Sequence, residues 1–183
     1  MARTRIFVWD LPVRLFHWLL ALSFAAAFLT AESERYRDVH VLLGHTVLGL
    51  VAFRVLWAFV GTRYARLSSF AFGPGAVVAY LKSLLSFRPL HYVGHNPAGS
   101  WVIYGLVLLA LVTGAAGYAT YNDIGGHWLE DFHEGAANVM LTLVFVHIAG
   151  VFASSLIHRE NLVKAMVTGY KWITGSRRVD DRA

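Results

Sequence analysis

Polar positions along the chain are bunched, and the apolar stretches between them are long. Four stretches, at about 11–31, 39–60, 100–120 and 133–157, carry few charges. Each reaches the roughly 20 residues that an α-helix, rising about 1.5 Å per residue, needs to cross a bilayer core. The pattern predicts an all-α membrane protein, a bundle of four transmembrane helices forming one domain over residues 1–183. Four crossings return both termini to the same side. The stretch 75–87 (GAVVAYLKSLLSF) has only 13 residues and carries Lys82, so it predicts a helix lying in the membrane interface. Turn residues in FGPG and HNPAG flank it within the longest connection, 61–99.

The start of the first span has two readings. Basic residues leading into LLALSFAAAFLTA resemble a signal peptide, but Asp10 and His17 interrupt that pattern. Asp10 followed by Pro12 reads instead as a helix start, with a capping carboxylate and a proline where a missing N–H costs nothing. The first span is therefore expected to be retained.

Charge orients the spans. Arg3, Arg5, Arg14, Arg54, Arg63, Arg66, Lys82, Arg88, Arg159, Lys164, Lys171, Arg177, Arg178 and Arg182 fall on the side of the termini. Only Arg35 and Arg37 fall on the other, which also collects Glu32, Glu34, Asp38, Asp123, Glu130, Asp131 and Glu134. The positive-inside rule then predicts cytoplasmic termini, a cytoplasmic interfacial helix and a multi-pass protein of the bacterial inner membrane. The net charge of +5 belongs to this topology, and no nucleic-acid partner is needed to explain it. A composition 57% hydrophobic and 15% charged excludes disordered and ordinary soluble classes. With no cysteine, disulfides, thiol catalysis, iron–sulfur ligation and covalently attached haem are excluded as well.

The nine histidines are the remaining candidates for chemistry, and four fall within or at the ends of spans: His17, His40, His133 and His147. An ionisable group in hydrocarbon is a functional-site candidate by default. His133 and His147 are 14 residues apart; at 100° per residue that is about 40° short of four turns, so both leave one helix face about 21 Å apart. Depth pairs His17 with His147 near the inside and His40 with His133 near the outside. Two pairs at two levels suit two stacked haem b groups, whose iron has two axial positions that imidazoles fill without sulfur. Gly44, one turn after His40, and Gly150, three residues after His147, leave room for a macrocycle, as do Gly114 and Gly117; close helix packing is the plainer reading of the glycines. Arg54, 14 residues after His40, and Arg14, one turn before His17, are candidates to pair haem propionates, with snorkelling to headgroups as the alternative. His45, rotated about 140° from His40, reads as a packing residue or lumen contact. His91, His95 and His127 read as solvated loop histidines, and His158 as an outlying group at the inner surface.

With these residues in place, the chain resembles the prokaryotic cytochrome b561 family. The resemblance rests on VWDLPVRLFHW around His17, HVLLGHTVLGLVAFRVLW with His40, Gly44 and Arg54, and FHEGAANVMLTLVFVHIAGV with His133 and His147. RPLHYVGHNPAG and SSLIHRENLVKAMVTGYK add to it. It implies a di-haem cytochrome passing electrons between a redox partner, such as a periplasmic cytochrome or a hydrogenase-like subunit, and the quinone pool or another carrier. A quinone substrate would need a proton acceptor, for which His158 and Glu134 are candidates. The oligomeric state stays open, a dimer included. The rival readings are a histidine-based metal or proton transporter and a structural membrane anchor for a catalytic subunit.

Overall fold

A computed structural model describes residues 3–86 and 89–174. Residue 87, at the expected end of the interfacial helix, and the basic residues Arg88, Arg177, Arg178 and Arg182 lie outside the described residues. In chain order the elements are β1 (Arg3–Phe7), α1 (Leu11–Thr30), α2 (Arg37–Val60), α3 (Pro74–Leu85), α4 (Pro97–Tyr121), α5 (His127–His158), α6 (Leu162–Thr168) and β2 (Tyr170–Thr174). Helices α1, α2, α4 and α5 are long and apolar enough to cross a membrane; α3, the expected interfacial helix, is a shorter apolar helix.

Two boundaries and one element differ from the sequence reading. Helix α4 begins at Pro97 and α5 at His127, both before the expected starts at 100 and 133. The HWLED turn is too polar to count as membrane span, yet Glu130 sits in the first turn of α5, where an acidic group complements the helix dipole. The small sheet was not expected: β1 and β2 pair antiparallel, with Thr4 opposite Ile173 and Ile6 opposite Lys171. Each strand has five residues, too short for a periodic signal, and their pairing joins the two ends of the chain.

The chain divides into two compact units. The first, here the terminal unit, takes residues 1–14, 57–104 and 146–183. Its core is Val8, Trp9, Val13, Ala65, Val93, Ala165 and Ile173. Gly169 makes its tightest junction. This residue ends α6 with φ +86°, its N–H donating to Ala165 O at 2.8 Å, a left-handed conformation that glycine adopts without strain. Its carbonyl accepts from Val8 N and Trp9 N at 2.9 and 3.1 Å, and a Cβ there would stand 2.7 Å from Trp9 O. Asp10 caps α1 as its sequence position suggests, Oδ1 accepting from Val13 N at 2.9 Å.

The second, the helical unit, takes residues 15–56 and 105–145, one segment from each of the four long helices. Val47, Val51, Ala110 and Met140 are buried at its centre, with Leu20 and Phe24 of α1 packed against them. Gly105 and Gly114 allow close approach: a Cβ on the first would stand 2.9 Å from Leu143, and one on the second would run into the Leu48 side chain. Small residues at such crossings are how helices gain contact where lipid removes the hydrophobic driving force.

Candidate functional site

His40 enters α2 one turn after its start, and His133 sits two turns into α5. Within the helical unit their rings lie 6.0 Å apart, centroid to centroid, and at 85° to each other. Each ring is tied to a neighbouring helix by the same device. His40 Nδ1 lies 2.9 Å from Ala27 O of α1, and His133 Nδ1 lies 2.8 Å from Thr113 O of α4. A carbonyl only accepts, so each Nδ1 carries a proton, and in the neutral ring the lone pair is on Nε2. A backbone carbonyl on the far nitrogen is the usual arrangement behind a metal-binding imidazole, because it fixes tautomer and orientation and raises basicity.

A cleft is lined by His40, Gly44, His45, Gly117, Tyr118 and His133 among others. Gly44 has nothing within 4 Å of where its Cβ would be, whereas a Cβ on Gly117 would stand 2.7 Å from His133 Cε1. One glycine thus leaves open space and the other lets the imidazole reach its place. Among the described residues, no group of three or more His, Asp or Glu gathers to hold a metal ion. Two imidazoles alone suit an ion whose other ligands come with it, as in haem.

The other predicted positions are spread over both units. His17, half-buried in α1, belongs to the helical unit, and His147, half-buried in α5, to the terminal unit. Arg54 is 7% exposed on α2 of the helical unit, deep burial for a guanidinium. Gly150 is exposed, with open space around it. Arg14 ties α1 to α6, its Nη1 donating to Val167 O at 2.6 Å. Glu134 is exposed.

Three charged or ionisable groups outside the expected ligand set, His91, Glu160 and Lys171, meet in the terminal unit. His91 is not a solvated loop histidine: it is 3% exposed, and its Nε2 lies 2.5 Å from Glu160 Oε1. Lys171 Nζ approaches Glu160 Oε2 at 3.4 Å, and the His158 ring packs edge-on against His91 at 5.0 Å. Burial pushes the Glu160 carboxyl up, but the bond from His91 and the Lys171 charge outweigh it and hold the group below its ordinary value. Burial pulls the Lys171 ammonium down, with Glu160 opposing. His95, also expected to be solvated, is half-buried between the rings of Trp9 and Phe70. His127 is exposed at the start of α5. The only local signal for the cluster was the polar, glycine-punctuated RPLHYVGHNPAG and HREN segments, which meet only once the chain is folded.

A second buried carboxylate holds the start of α1. Asp10 Oδ2 accepts from Thr62 Oγ1 at 2.7 Å and Trp57 Nε1 at 3.0 Å. Burial raises its pKa, but these bonds and the one from Val13 together carry it below the ordinary value.

Comparison with known proteins follows the same residues. The profile of the prokaryotic cytochrome b561 family matches residues 8–169. A probable Ni/Fe-hydrogenase B-type cytochrome subunit of Rhizobium leguminosarum bv. viciae is 25% identical, the match covering 91% of this chain and 89% of the relative. Proteins of the same description from Azotobacter vinelandii (23% identical, 96% and 92% covered) and, as the hydrogenase 1 subunit, Escherichia coli K12 (22% identical, 90% of each) are similar over the same extent. No solved structure matches the chain. Four helices of membrane-crossing length and a family match over nearly the whole sequence make this chain a multi-pass membrane electron-transfer protein of the b-haem type, a member of the prokaryotic cytochrome b561 family.

Proposed function

We propose that the chain carries electrons across the bacterial inner membrane with two b-type haems, each held by a histidine pair. The observation that carries this reading is the His40–His133 pair, with rings 6.0 Å apart and both Nδ1 atoms engaged by backbone carbonyls. In this reading His40 and His133 would hold the outer haem. His17 and His147 hold the inner one, an assignment resting on their matched depth in the sequence. Gly44 and Gly150 leave space for the macrocycles, and Arg54 and Arg14 pair propionates. Haem, when bound, would supply a one-electron couple. The protein's part is to set the imidazoles, keep water away and fix the tautomers.

The termini and α3 face the cytoplasm, following the basic residues. The acidic residues at the opposite ends of the helices steer a basic periplasmic partner, a soluble cytochrome or a hydrogenase-like subunit such as the relatives' names imply. A quinone is the second candidate substrate, with His158 or Glu134 as proton acceptor. The test is the reduced-minus-oxidised visible spectrum with haem counted per chain. Two haems are expected in the native protein and one in His133→Ala. A colourless protein, or a His133→Ala variant that keeps both haems, overturns the ligand assignment.

A further inference from the structure

An ionisable side chain on a membrane-crossing helix needs a partner, and His45 has less than it needs. It stands on α2 five residues after His40 and is exposed. Its Nδ1 donates to Val41 O at 2.8 Å, a bond within its own helix, which leaves Nε2 as a bare lone pair or, with a second proton, a cationic donor. The ring meets Tyr118 edge-on at 6.0 Å. Although the helical angle alone turns it away from His40, the structure places His45 in the wall of the same cleft, with Tyr118 and Tyr121 of α4 and His133 of α5. Those groups and His40 are the titratable residues of the lining, and no carboxylate is among them. The cleft lining therefore offers this imidazole no carboxylate, while a b-type haem would bring two into it.

We infer that His45 is a positioning residue for the cofactor of the outer cleft: protonated at Nε2, it pairs with and hydrogen-bonds a haem propionate, with the Tyr118 hydroxyl as a second donor on the same wall. The inference rests on the reading of His40 and His133 as axial ligands. It is separate from Arg54, which lies nine residues further along α2.

The test uses the purified holoprotein and three variants, His45→Phe, His45→Gln and His45→Arg, with spectroelectrochemical titration of each haem and redox-difference infrared spectra of the propionate bands. Removing a cation beside a carboxylate disfavours the reduced haem. His45→Phe is expected to move the oxidised-to-reduced ratio of one haem about tenfold toward oxidised at fixed potential, about 59 mV for a one-electron couple, and to shift its propionate band. The other haem stays within about twofold of the native ratio. His45→Arg restores both signals, and His45→Gln falls between. If His45→Phe keeps its haem with both titrations unchanged, or if His45→Arg behaves as His45→Phe, the inference is wrong. Loss of one haem in His45→Phe that His45→Arg restores supports it, and loss in both overturns it. Failure of the ligand reading shows separately, as retention of both haems in His133→Ala.

Discussion

In the terminal unit the buried charges are met by the protein: Asp10 by Val13, Trp57 and Thr62, and Glu160 by His91 and Lys171. In the helical unit His40, His133 and His45 bond the protein through Nδ1, and all three line one open cleft. Burying a polar group costs unless it is paired. The first arrangement therefore reads as structure: Asp10 ties the start of α1 to the end of α2 and the turn after it, and Glu160 ties the end of α5 to the loop before α4 and to β2. The second reads as a site completed by a ligand. The same residue type plays both parts: His91 is a structural imidazole braced by a carboxylate, while His40 and His133 are braced by carbonyls with their lone pairs kept for something else.

The largest effect should come from the helical unit. His40→Ala or His133→Ala should halve the haem per chain while leaving the helical circular dichroism unchanged; a variant that unfolds instead would make these histidines as structural as His91. Glu160→Gln should show the converse, retaining haem ligands but losing about 3 kcal/mol of stability, because removing one partner leaves Lys171 as an uncompensated buried cation. Thermal unfolding in detergent reads this directly. Gly169→Ala should cost about 2 kcal/mol by the same measurement, from the positive φ and the crowding of Trp9 O. Trp57→Phe, which removes one of the bonds to Asp10, should cost about 1 kcal/mol.

Acid should separate the units as well. Asp10 and Glu160 both titrate below their ordinary values of 3.8 and 4.5 when folded. Their stabilising contribution is therefore complete above those values and is lost as pH falls through the lower folded ones. The unfolding midpoint of the native protein should drop over that acid range. Glu160→Gln should drop less steeply, since one of the two carboxylates responsible has gone.

Much of the fold was legible in the sequence because a bilayer imposes a length and a polarity that local residues must meet. Leu11–Thr30, Arg37–Val60, Pro97–Tyr121 and His127–His158 differ from the expected spans only at their ends, where polar turns such as HWLED continue a helix beyond the apolar run. The nearness of the His40 and His133 rings was legible too, since a regular helix converts residue spacing into position along its axis and face.

What spacing could not supply was any relation between segments that no single helix connects. The β1–β2 pairing, the burial of His91 against Glu160 and Lys171, and the seat of His45 in the cleft wall were decided by tertiary structure. Each depends on which elements become neighbours, and neighbours are chosen by packing and by the need to pair buried polar groups across the whole chain. The amino-acid sequence by itself determined how many helices are long and apolar enough to cross; folding decided which imidazoles hold the protein together and which are left facing a cleft.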